Sequence, residues 1–243
     1  MNRKINEDIE LYFKYIESIK DSIVKLNSDN YVPHLKQLAC AGLLDTLAKC
    51  VANPRFNSYK RFTSFIKYFC EWDEHSKISL PHLVRFLKLV PSLEFEPLRK
   101  FAILKIEKWP HGQNQYLDSD PSYKEVLDLW PKDKEHKEPI EKISLKSLTH
   151  LTLLWKLRNS IVHELQIPGY GIEALVTKDP GYHSMTDHRG SEPIETWELV
   201  YPVPFILKLI ENGIKNLKKY CQENKLNPYD SYKFGSYWIE EFN

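Results

Sequence analysis

Apolar residues recur every three or four positions along much of this chain, the spacing of a helix that buries one face. Ile9, Tyr12, Phe13, Ile16, Ile19 and Ile23 form one such stripe and predict a helix over 5–26. Leu35, Leu38, Leu43, Leu44 and Leu47 predict a second over 34–51. Its small residues Ala39, Ala41, Gly42 and Ala48 suit a close helix approach, at some cost in helix propensity for Gly42. Asn53-Pro54 ends that element, and Phe62, Phe65, Ile66 and Phe69 predict a third over 58–69. Two more follow over 80–90 and 93–108, with Pro81 and Pro97 marking first turns, where a missing N–H costs nothing.

The pattern breaks at residues 109–142. Prolines recur at 110, 121, 131 and 139, and PKDKEHKEPIEK mixes both charges. This segment reads as an exposed connecting insertion, with a short helix from Asp120-Pro121 to Leu129. Periodicity returns over 144–164 through Leu145, Leu148, Leu151, Leu154, Trp155, Leu157, Ile161 and Val162, and stops before Pro168-Gly169. Residues 171–177 and 196–201 have strand-like composition and are expected to pair as a hairpin around a polar loop, within an insertion over 170–201. A last helix is predicted over 205–221, followed by an aromatic tail. The expected architecture is one domain over 1–243: an all-α bundle with additional helices and a small β-hairpin-like insertion.

Charge narrows the partners. With 34 basic against 33 acidic residues the net charge is only +1, which argues against a uniformly basic nucleic-acid coat and leaves room for a local basic cleft. Arg55, Lys60, Arg61 and Lys67 occur with no intervening acid, and read either as an RNA-binding rim or as a solvated helix face. Cys40, Cys50, Cys70 and Cys221 form no short metal-binding spacing, and His183, Asp187 and His188 fit no recognised metal pattern, so no metal or cofactor is expected. The charged, helical start lacks a leader's apolar core, and no run approaches the roughly 20 apolar residues of a membrane span. The cytoplasm is the expected location.

The densest chemistry lies in Arg158-Asn159-Ser160-Ile161-Val162-His163. Arginine holds phosphate oxygens through its planar fork, and histidine takes or gives a proton near neutral pH. RNA carries its own nucleophile, the 2′-hydroxyl. A base that activates it, a cation at the charged transition state and an acid at the leaving 5′-oxygen suffice without a metal. Asn159 and His163, four residues apart, share a helix face. Arg158 and His163, five apart, diverge by roughly 140° on an ideal helix. A second copy of the helix across a two-fold interface would bring them together, so a homodimer is expected. The plain alternative is an ordinary polar helix end.

Arg158, Asn159 and His163 fit the pattern RNxxxH, and with LTLLWKLRNSIVHEL and ACAGLLDTLAKCVANPRFNSYKRFTSFIKYF the chain resembles the HEPN superfamily, in particular its stand-alone ribonucleases. The resemblance covers mainly 5–73 and 144–221. It implies a four- or five-helix bundle that dimerises and cleaves RNA without metal, leaving a 2′,3′-cyclic phosphate and a 5′-hydroxyl. Arg158 and His163 would be catalytic and Asn159 supporting. An antitoxin or defence-system partner is a further implication. Some relatives carry a tyrosine two residues past the histidine that a partner modifies. Leu165 stands there, so that form of control has no support. The alternative within the family is a non-catalytic module that binds RNA, a nucleotide or a protein.

Overall fold

The computed structural model describes residues 2–26, 32–51, 55–110, 112–132, 134–169, 177–187 and 194–231. These contain eight α-helices: α1 Asn2–Lys25, α2 Val32–Val51, α3 Ser58–Phe69, α4 Leu80–Leu89, α5 Glu96–Ile106, α6 Tyr123–Asp128, α7 His150–Glu164 and α8 Val203–Asn224. Three short strands, β1 Gln115–Tyr116, β2 Gly181–Asp187 and β3 Ile194–Val200, make one antiparallel sheet in the order β1-β2-β3. The protein is therefore mostly helical with a small sheet, as the periodicity predicts. Where one domain is expected, the chain divides into two compact units, Met1–Trp72 with Ile206–Asn243, and Asp73–Phe205. Segments that the HEPN resemblance groups together fall in different units. Helices α1–α3 and nearly all of α8 are in the first, and α7 with the RNSIVH motif is in the second.

In the first unit the predicted stripes are the buried ones. Ile9, Tyr12, Phe13, Ile16 and Ile23 of α1 are inside, as are Leu43, Leu44 and Leu47 of α2 and Phe62, Phe65 and Ile66 of α3. Asn57 starts α3 by accepting the Lys60 amide on Oδ1 at 2.8 Å. Its end is capped from α8, where Asn216 Nδ2 donates to the Phe69 carbonyl at 2.9 Å and Asn212 Nδ2 to that of Cys70 at 3.1 Å. Two expectations for α2 need correction. Leu35 is exposed in its first turn. Gly42 is exposed too, and a Cβ there would meet nothing within 4 Å. The glycine that does permit close approach is Gly213 of α8, where a Cβ would lie 2.8 Å from Cζ of Phe65.

The second unit revises the insertions. The segment 109–142 is not simply exposed: Trp109, Leu117, Asp120, Val126 and Trp130 are buried. Trp130 stacks on Phe86 at 5.9 Å between ring centroids and meets Phe95 edge-on at 5.1 Å, so this segment helps fill the core of its unit. Ser122 and Glu125 form a reciprocal capping box that starts α6. The strand expected over 196–201 corresponds to β3, but its partner is β2, drawn from GYHSMTD, which reads as polar loop in the sequence. Gly181 pairs with Val200 and Asp187 with Ile194. Residues 170–176, which hold most of the other expected strand, lie outside the described residues. The helix expected over 144–164 is a short 3-10 turn, Leu145–Leu148, followed by α7, whose N-cap Thr149 accepts the Thr152 amide at 3.3 Å.

Candidate functional site

Helix α7 is anchored at its start and exposed at its end. Leu153, Leu154, Leu157 and Ile161 are buried along one side. Arg158 and Asn159 are half-buried, and His163 in the last turn is exposed. The helix ends at Leu165, which adopts a left-handed conformation at φ 54° and returns its amide to the Ile161 carbonyl at 3.2 Å. A β-carbon in that region costs roughly 1–2 kcal/mol, which is why glycine is the usual residue there.

The three motif residues meet within this one chain. Arg158 Nη1 donates to Asn159 Oδ1 at 2.9 Å and lies 3.4 Å from His163 Nε2. The guanidinium carbon sits 5.0 Å from the centroid of the Trp155 ring, close enough for a cation–π contact. Cβ directions five residues apart diverge, but the arginine stem crosses that angle. The geometric reason for a second copy of the helix is therefore removed, because one copy supplies both groups.

A hydrogen bond at this contact requires one form of the imidazole. Guanidinium has only donors, so Nε2 must accept and the ring proton must sit on Nδ1. His163 thus faces Arg158 with a lone pair, the form able to take a proton. At 3.4 Å the bond is long, and an incoming phosphate oxygen competes readily for the same N–H. The unpaired carbonyls at a helix C-terminus carry partial negative charge. Any anion held here must be held by Arg158 against that field.

The other candidates belong to other elements of the chain. Arg55, Lys60, Arg61 and Lys67 lie on and just before α3, in the first unit. Arg61 Nη2 donates to Ser58 Oγ at 3.3 Å, Lys60 covers the Phe56 ring at 4.0 Å, and Lys67 lies 5.2 Å from the Tyr68 ring. Among the described residues no group of three or more His, Cys, Asp and Glu could hold a metal ion. Asp187 and His188 lack described side chains, and burial lowers the pKa of His183. No helix among the described residues is long and apolar enough to cross a membrane.

A second polar cluster, which the sequence reading missed, lies at the buried start of α7. His150 Nε2 is 2.7 Å from Asp120 Oδ2, and both side chains are fully buried. The Tyr182 hydroxyl donates to the same oxygen at 2.6 Å, and the Leu80 amide donates to Asp120 Oδ1 at 2.8 Å. Ser79 Oγ bridges Tyr182 at 2.9 Å and His82 Nδ1 at 2.7 Å, while Tyr201 Oη lies 2.9 Å from His150 Nδ1. Burial, the Asp120 charge and the Asp120 hydrogen bond hold the Tyr182 hydroxyl well above its ordinary pKa. Burial and Asp120 do the same for Tyr201. Burial, with Arg85, His150 and Lys156, pushes His82 down to about 3. Because Ser79, Asp120, His150 and Tyr182 are sealed from solvent, the cluster serves to join α4, α7 and β2. One sequence signal was available: His150 sits at helical spacing from Leu153, Leu154 and Leu157, a polar group on the apolar side.

No family model, no curated protein and no solved structure matches this chain.

Proposed function

We propose that the protein is a HEPN-type, metal-independent endoribonuclease whose site is Arg158, Asn159 and His163. The observation that carries this reading is the 3.4 Å approach of Arg158 Nη1 to His163 Nε2 at the exposed end of α7. In the proposed reaction the guanidinium transfers its N–H from the imidazole to a phosphate oxygen. His163 Nε2 is then free to take the proton of the 2′-hydroxyl. The alkoxide attacks the adjacent phosphorus, the bond to the 5′-oxygen breaks, and Arg158 stabilises the charge that accumulates on the phosphoryl oxygens. Asn159 Oδ1 keeps the guanidinium oriented through its 2.9 Å contact. The products are a 2′,3′-cyclic phosphate and a 5′-hydroxyl. A proton donor for the leaving oxygen completes the balance, from water or from the protonated His163 after it turns.

RNA is the proposed substrate because no other common polymer carries the internal nucleophile. Single-stranded or looped RNA fits best, since attack needs the 2′-oxygen in line with the leaving group. The homodimer and the antitoxin or defence-system partner belong to the same proposal as implications of the resemblance, as does a cytoplasmic location. The test is cleavage of structured and unstructured RNA by pure protein in EDTA, with end-group analysis of the fragments. Arg158→Ala and His163→Ala should each lower the rate by at least about a hundredfold. Cleavage that persists in both variants, or that needs added metal, rejects the site. Tight RNA binding without cleavage would favour a binding module instead.

A further inference from the structure

We propose that Trp155 is a positioning residue for this site, acting by holding the Arg158 guanidinium folded across α7 toward His163. The inference rests on the ribonuclease reading for its kinetic consequence, but its geometric content stands without it. At about 100° per residue, Arg158 lies about 60° to one side of Trp155 and His163 about 80° to the other. In helical angle Trp155 therefore falls between the two, and along the axis it stands about one turn N-terminal to Arg158 and about two turns N-terminal to His163. An arginine on a helix has many rotamers, and most would carry its charge away from His163 into water. Here the guanidinium carbon lies 5.0 Å from the centroid of the indole, and the same group reaches Asn159 Oδ1 at 2.9 Å and His163 Nε2 at 3.4 Å. Asn159 and His163 both make polar contacts with the cation. The half-buried indole supplies a broad, electron-rich surface against which the guanidinium lies.

This division of labour separates Trp155 from the apolar core positions of α7. Leu153, Leu154, Leu157 and Ile161 are buried, whereas Trp155 is only half-buried beside the motif. A core tryptophan would be judged by stability. A positioning tryptophan is judged by where the arginine sits and by how fast a bound substrate reacts. Loss of the ring should free the guanidinium to sample other rotamers, so that fewer bound complexes are competent. That lowers kcat, because a displaced guanidinium no longer meets the charge that develops on the phosphoryl oxygens.

The experiment pairs a spectroscopic reading with kinetics on the full chain. The side-chain Nε–H resonance of Arg158, assigned by its loss in Arg158→Lys, is recorded in the wild type, Trp155→Leu and Trp155→Phe. Cleavage of a fluorescent single-stranded RNA of mixed sequence is measured on the same samples in EDTA. The expected wild-type signal is shifted upfield by the indole ring current, moves toward the free-arginine position in Trp155→Leu and stays upfield in Trp155→Phe. Trp155→Leu should lose about tenfold in kcat, the rate equivalent of one cation–π contact. Trp155→Phe should recover most of that loss, and Trp155→Leu should add nothing in an Arg158→Ala background. An Arg158 signal unmoved by Trp155→Leu overturns the proposal, and so does a rate loss that persists in full without Arg158. If Trp155→Leu does not fold, Trp155→Phe decides. An Arg158 signal that leaves the upfield position although a ring is retained overturns the proposal. If the wild type cleaves nothing, the ribonuclease reading fails by itself, and the Arg158 resonance alone upholds or rejects the placement of the guanidinium.

Discussion

Replacing Asp120 by alanine removes an acceptor that three buried donors share. The Leu80 amide and the Tyr182 hydroxyl reach its two oxygens at 2.8 and 2.6 Å, and His150 Nε2 approaches at 2.7 Å. A buried donor left without a partner costs about 1–3 kcal/mol. Tyr182 can turn to Ser79 Oγ, already 2.9 Å away, so two donors rather than three are stranded. The expected loss is about 4 kcal/mol, a large part of the roughly 5–15 kcal/mol that holds a typical domain together. Tyr182→Phe provides the contrast, since it deletes one donor and leaves Asp120 two others, for a loss of about 1 kcal/mol. Urea unfolding followed by near-ultraviolet circular dichroism measures both, because Trp109 packs against Tyr182 at 5.1 Å. Hydrogen exchange at the Leu80 amide gives a second reading at the broken bond. A loss below about 1.5 kcal/mol for Asp120→Ala, or equal losses for the two variants, would refute the shared-acceptor argument.

The remaining expectations concern backbone space and pH. Gly42→Ala should stabilise the protein by about 1 kcal/mol, because the site is helical and the new Cβ meets nothing within 4 Å. Gly213→Ala should destabilise it despite the same gain in propensity, because its Cβ would lie 2.8 Å from the Phe65 ring, and thermal melts of the two variants should move in opposite directions. His82, held neutral by burial and by the nearby Arg85, His150 and Lys156, has its folded pKa lowered to about 3. The unfolded chain then binds the extra proton below about pH 6.5, so this contribution is fully present above that value and is lost as pH falls toward 3. Although the residue is only half-buried, any folded pKa below about 4.5 gives a loss of about 2 kcal/mol at pH 5. His82→Asn should flatten the stability profile between pH 7 and 5 by that amount, and an unchanged slope counts against the assignment.

Periodicity exposed the helices because each buries one side, and a three- or four-residue repeat needs no knowledge of the partner. Pro81 and Pro97 located two starts for an equally local reason. Residues 109–142 misled because their buried groups, Trp109, Leu117, Val126 and Trp130, are spaced irregularly among charges and prolines. Strand β2 was hidden in GYHSMTD for a related reason. Tyr182 is its fully buried side chain, and on β3 an acid, Glu198, is buried opposite His183, so the strands show no apolar–polar alternation. The Arg158–His163 geometry was misjudged because helical angles describe Cβ directions, whereas the guanidinium ends a long stem. The division of the chain into two units leaves no mark on periodicity at all.

Helix α7 links the buried cluster to the candidate site, and the link has a testable form. His150 and His163 are thirteen residues apart, about 20 Å along a straight helix. Asp120 and Tyr201 fix the first of them in the core, while the second stands in solvent beside Arg158. A rigid element fixed at one end sets the position of side chains at the other. The cluster touches none of the proposed reacting groups, however, so its weakening should lower the folded fraction without changing the rate of each folded molecule. On the proposed ribonuclease reading, Tyr182→Phe, stable enough to assay, should therefore cleave RNA at the wild-type kcat in the absence of urea. It should lose activity at a lower urea concentration, in step with its unfolding curve. A reduced kcat in native buffer would mean that the cluster also controls how α7 presents Arg158 and His163.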